Sequence, residues 1–68
     1  MRNIERINKV TNVLKEAWSQ PGFNDMRFGQ FMSNFLGWCV STGRCNDIWF
    51  PEEDKWEQWL KEYTKIND

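Results

Sequence analysis

Apolar positions along the chain fall into three helical rhythms separated by two breaks. Ile4, Ile7, Val10, Leu14, Ala17 and Trp18 recur at three- and four-residue steps and share one face, with Val13 at its edge. Charged and polar side chains fill the other side. This predicts a first helix over about residues 3–19, ended by Pro21-Gly22, where Pro cannot continue a helix and Gly frees the backbone to turn. Phe28, Phe31, Met32, Phe35, Leu36 and Cys39 then recur at i, i+3, i+4, i+7, i+8 and i+11, a second and more strongly amphipathic helix. Asn24-Asp25 are its expected N-caps and Thr42-Gly43 its expected end. Trp56, Trp59, Leu60, Tyr63 and Ile66 mark a third helix. Its start is expected near Pro51 or Asp54, with Asp54-x-x-Glu57 shaped like a capping box. Glu52, Glu53 and Asp54 suit the positive end of its dipole.

Two features do not follow from amphipathicity. Behind the apolar stripe of the second helix, Gly29, Ser33, Gly37 and Ser41 recur every four residues. Glycine inside a helix costs about 1 kcal/mol relative to Ala, so this row either receives another helix or backbone at close range, from this chain or from a partner, or lies on an exposed face where nothing compensates. The second feature is the connection 44–50, which carries Ile48, Trp49 and Phe50 in succession. At least one of the three is expected to plug the core.

The reading is an all-α fold, a small three-helix bundle with short loops, forming one domain over residues 1–68. So short a chain buries only about 60% of its unfolded surface. Eleven aromatic residues, five of them Trp, change that picture. Each buried ring removes roughly 150–250 Å² from water, so a core can form without metal or disulfide. Eleven rings also exceed what so small a core can hold. Trp38, at the margin of its stripe, and Trp49, in the loop, are the expected surplus.

The absence of His excludes Ser-His-Asp and Cys-His catalysis. Cys39 and Cys45 are expected as reduced thiols, because a C-x5-C pair with no other Cys or His completes neither a redox motif nor a zinc site. The carboxylates 52–54 follow Pro at a helix start and read as capping charges. No phosphate loop or EF-hand pattern is present. No enzyme, cofactor or metal is therefore expected. No apolar run approaches the ~20 residues of a membrane span, and no hydrophobic signal stretch is seen at the N-terminus. The expectation is a cytoplasmic protein with no membrane partner.

Net charge is −1 but unevenly spread, mildly basic in the first nineteen residues and acidic from residue 51 onward. Arg2, Arg6 and Lys9 line one side of the first helix, and Arg27 stands before the second. These four are the candidates for nucleic-acid contact, the alternative function. The acidic pI and the apolar second helix argue against it. The preferred expectation is a protein-binding module that occupies a surface of a larger protein. Its candidate contacts are Trp38, Trp49, Arg44, Gly29, Ser33 and Gly37. A homodimer through the small-residue row is a further possibility.

Arg27-Phe28-Gly29-Gln30 followed by Asp47-Ile48-Trp49-Phe50-Pro51-Glu52-Glu53-Asp54 resembles a pattern in short proteins of Gram-positive bacteria and their phages that carry no assigned activity. There, R-x-G-Q opens a central helix and D-x-aromatic-aromatic runs into an acidic helix start. The resemblance covers roughly residues 10–62, and the chain departs from it in a longer connection over 39–46. It implies a small helical fold and a phage or mobile-element origin, hence a phage-derived inhibitor or accessory factor. It marks Arg27, Gln30 and Asp47 as polar positions. Arg27 or Gln30 is expected to satisfy backbone groups of the Asp47 loop.

Overall fold

The computed structural model describes residues 2–66 and contains three helices: α1 (Glu5–Trp18), α2 (Phe28–Ser41) and α3 (Glu53–Thr64). The three-helix, all-α expectation holds. Helices α1 and α3 run parallel. Arg2 and Arg6 at the start of α1 meet Glu52 and Glu53 at the start of α3, at 3.0 and 3.4 Å. Past the other end of α1, Phe23 reaches Tyr63 near the end of α3, with ring centres 5.2 Å apart. Helix α2 lies across this pair. Its Phe35 sits over α3 between Trp56 and Tyr63, at 6.0 and 5.6 Å.

The core is aromatic and contiguous. Ala17, Phe31, Phe35, Cys39, Cys45, Trp59 and Leu60 are buried. Rings at positions 18, 23, 28, 31, 35, 38, 56, 59 and 63 form one linked network through and around it. Edge-to-face and offset contacts of this kind add to area burial. Thr64 is buried yet satisfied, its hydroxyl donating to the Leu60 carbonyl at 2.8 Å.

Three expectations are corrected and a fourth is narrowed. First, α2 begins at Phe28, not near Asn24-Asp25. Its N-cap is Arg27 in extended conformation, with no side-chain cap. The delay has a packing cause. Phe23 must reach Phe31, and the Trp18 indole N–H donates to the Met26 carbonyl at 3.0 Å. Both contacts hold residues 20–26 in turns, and Asn24 serves the preceding helix end by donating to the Ser19 carbonyl. Second, the cap of α3 is Glu52, so Asp54 lies inside the first turn and no capping box forms. Third, the N-terminal part of the α1 stripe is uncovered: Ile4 and Ile7 are exposed, because α2 packs at the other end of α1. Fourth, no other element of this chain packs on the small-residue row, so of the two expected neighbours only a partner's helix or backbone is left. A Cβ at Gly29 or Gly37 would meet nothing within 4 Å.

That last finding yields a direct prediction. Gly37→Ala adds a methyl group to an open helix surface and removes backbone freedom from the unfolded chain. It should stabilise the protein by about 0.5–1 kcal/mol, read as a higher urea midpoint. A loss of stability would show that something covers this face. The same change at Gly43 should destabilise, because φ there is +77° and its N–H closes the end of α2 on the Val40 carbonyl.

Candidate functional site

The network of nine rings leaves two of the eleven out, Trp49 and Phe50. Trp49 is 83% exposed and Phe50 78%, and Ile48 beside them is half exposed. The expectation that one of these three plugs the core is overturned. Cys45 takes that place, 7% exposed, its amide donating to the Cys39 carbonyl at 3.3 Å. Once the chain has dipped into the core at Cys45, it returns to the surface before Ile48.

The loop is braced at both sides of the exposed triplet. The Asp47 carboxylate accepts a 2.7 Å bond from the Trp49 amide, an Asx turn that fixes the backbone under Trp49. The Pro51 carbonyl accepts from the Trp56 indole N–H at 3.2 Å, tying the exit of the loop to the first turn of α3. The two largest exposed side chains of this end therefore project from a backbone held on either flank. Glu52 and Glu53 follow, paired with Arg2 and Arg6. These pairs place exposed Ile4 and Ile7 at the same end of the bundle as Trp49 and Phe50. A groove of about 320 Å³ separates the two helix starts, its walls carrying Arg2, Arg6, Glu52 and Glu53.

Trp38 has a different role from the one its sequence position suggests. Its ring lies 5.1 Å from Tyr63 and 6.4 Å from Phe35. The Arg44 guanidinium covers it at 4.0 Å, and Arg44 Nε donates to Glu62 at 2.9 Å. Trp38 and Arg44 thus close the side of the core, and neither is presented beside Trp49. The bond from Arg44, with a second from Gln58, holds the Glu62 carboxyl below its ordinary value of 4.5. Because the folded state depresses this pKa, the associated stability is present above about pH 4.5 and is lost as pH falls through the lowered value. An Arg44→Ala variant should show a flatter Tm against pH below about pH 4.5; an unchanged acid slope would detach Glu62 from it.

Several other candidates are not brought together. Gly29, Ser33 and Gly37 are exposed on the outer face of α2. Arg2 and Arg6 are engaged by the acidic start of α3. Arg27 adjoins Met26, whose carbonyl is held at the far end of α1, about 21 Å along a 14-residue helix. Arg2, Arg6 and Lys9 line one groove together with Glu52 and Glu53, and Arg27 stands apart from them. Gln30 does not serve the Asp47 turn, which closes on its own carboxylate. Cys45 beside Cys39 marks that loop's entry, nine residues along α2 from Gln30, about 13 Å. Both thiols are free. Burial, reinforced by Cys45, pushes the Cys39 thiol up to about 11, so it behaves as a small apolar core residue. Among the described residues, no group of three His, Cys, Asp or Glu side chains could hold a metal ion, and no helix is long and apolar enough to cross a membrane.

Sequence reasoning missed Phe50 as a surface residue and Phe23 and Met26 as partly buried side chains packed against the core. Their signal was weak because all three sit in connections, where periodicity gives no face. Comparison of the chain with protein-family models, with curated proteins and with solved structures gives no match.

Proposed function

We propose that this protein is a non-enzymatic binding module that seats the Ile48-Trp49-Phe50 loop in an apolar cleft of a larger protein. One observation carries the reading: the two rings left out of the core network are adjacent, almost fully exposed and held on a braced backbone. Exposing them costs solvation free energy that folding alone does not recover. Trp beside Phe, with a polar surround, has the composition of an interface hot spot. Bracing at Asp47 and Pro51 lowers the ordering cost of association. The acidic residues after the loop, at positions 52–54, favour a protein cleft over an anionic membrane surface. A phage-derived inhibitor or accessory factor is the sharpest form of this reading, resting on chain size and on the resemblance noted above.

The test is comparative capture. Immobilised wild-type chain and a Trp49→Ala/Phe50→Ala variant are exposed to lysate of the native host. A protein retained by the first and absent from the second is purified, and its affinity for each is measured. Equal affinity for both chains sinks the proposal.

A further inference from the structure

We propose that Cys39 and Cys45 form a reversible disulfide within the chain, a redox-sensitive clamp across the end of α2 at the entry to the exposed loop. Backbone geometry is the first observation behind it. With Gly43 at φ +77°, the Arg44 amide donates to the Cys39 carbonyl at 3.0 Å and the Gly43 amide to the Val40 carbonyl at 3.1 Å. These are the paired bonds of a Schellman end, which doubles the chain back on its last turn. The Cys45 amide then donates to the same Cys39 carbonyl at 3.3 Å. A carbonyl oxygen lies about 2.4 Å from its own Cα and an amide nitrogen about 1.5 Å from its own, so this bond keeps the two Cα atoms within about 7 Å, in reach of a bridge.

The second observation is burial. Both side chains enter one core cluster, Cys39 0% and Cys45 7% exposed, so neither turns away into solvent. Both thiols are free to react. Burial first, and Cys45 second, raise the Cys39 thiol to about 11. The reduced pair therefore draws no stability from a thiolate, the feature that makes a disulfide easily reduced. The oxidant is a low-molecular-weight disulfide such as oxidised glutathione. Cys45, the more accessible of the two, attacks one of its sulfurs as the thiolate and displaces one small thiolate, leaving a mixed disulfide. The Cys39 thiolate attacks the Cys45 sulfur and displaces the other. The two cysteine protons end on the two small thiols released, and the two electrons lost by the cysteines reduce the small disulfide. The clamp is independent of what the Trp49–Phe50 loop binds.

The measurement is refolding of the purified chain from urea in a mixture of reduced and oxidised glutathione. Intact mass under denaturing, non-reducing conditions should be that of one chain less two hydrogens, with no thiol left to titrate. Trypsin cuts after Arg44, inside the closed loop, and the peptides ending at Arg44 and beginning at Cys45 should stay joined until dithiothreitol is added. The oxidised chain should melt about 5–15 °C above the reduced one, because the bridge restricts the unfolded chain, and dithiothreitol should reverse the rise. A Cys45→Ala variant given the same treatment should show no rise. A chain that keeps both thiols, a glutathione adduct without a bridge, or a disulfide-linked dimer overturns the proposal. So does a bridged chain whose Tm is unchanged or lower, or an equal rise in the Cys45→Ala variant.

Discussion

Phe31→Ala should remove about a third or more of the protein's unfolding free energy. A chain of 68 residues has a total stability of roughly 3–10 kcal/mol at 0.05–0.15 kcal/mol per residue. Truncating a buried Phe costs about 3–5 kcal/mol, through lost transfer free energy and the cavity left behind. Phe31 is wholly shielded, and its ring meets Trp18, Phe23, Phe35 and Tyr63 at 5.9–6.5 Å. Those four residues come from α1, the α1–α2 connection, α2 and α3, so no one element can move in to fill the void without releasing another. Urea denaturation followed by circular dichroism reads the effect. Phe28→Ala is the matched control. It lies on the same stripe but is 54% exposed and touches only the Trp18 ring in the network, so its cost should stay below about 1.5 kcal/mol. Equal costs at the two positions would mean that Phe31 is not the hub of the core.

The contrast between Phe28 and Phe31 also shows what periodicity does and does not reveal. Spacing placed both on the apolar face of α2 but gave no account of how far along the helix that face is covered. The same holds for Ile4 and Ile7, on the right face of α1 yet beyond the reach of α2. Coverage depends on crossing angle and on where each helix begins, which are properties of the packed pairs. The helix ends were legible where backbone chemistry dictates them, as at Gly22 and Gly43 with φ of +91° and +77°. They were not legible at Asn24-Asp25, because a long-range contact, the Trp18 indole on the Met26 carbonyl, outweighed a local capping preference. At the candidate site, composition indicated that rings exceed core places. It pointed to Trp49 correctly as exposed but named Trp38 as its companion, where Phe50 stands instead. Arg44 explains the exchange, since a cation over the indole completes the burial that the helix margin left partial.

Trp49→Ala should therefore separate binding from folding in a way that Trp38→Ala cannot. Trp49 makes no ring contact within the network and is 83% exposed, so its removal should leave stability within about 0.5 kcal/mol of wild type. At an interface centre, truncation of a Trp costs about 2 kcal/mol or more, a loss of roughly 30-fold in affinity. Trp38→Ala should reverse the balance. It strips a ring from between Tyr63 and the Arg44 guanidinium and should cost about 2–4 kcal/mol of stability, with binding falling only as the folded fraction falls. Asp47→Ala supplies the third point. It leaves both exposed rings in place but frees the Trp49 amide from its 2.7 Å bond, so affinity should drop by less than with Trp49→Ala, through the entropy of ordering the loop on contact. Binding measured against the captured partner, beside urea midpoints for the same three variants, distinguishes these outcomes. Partner affinity that follows the urea midpoint across all three would mean that the loop contributes to binding only by being folded.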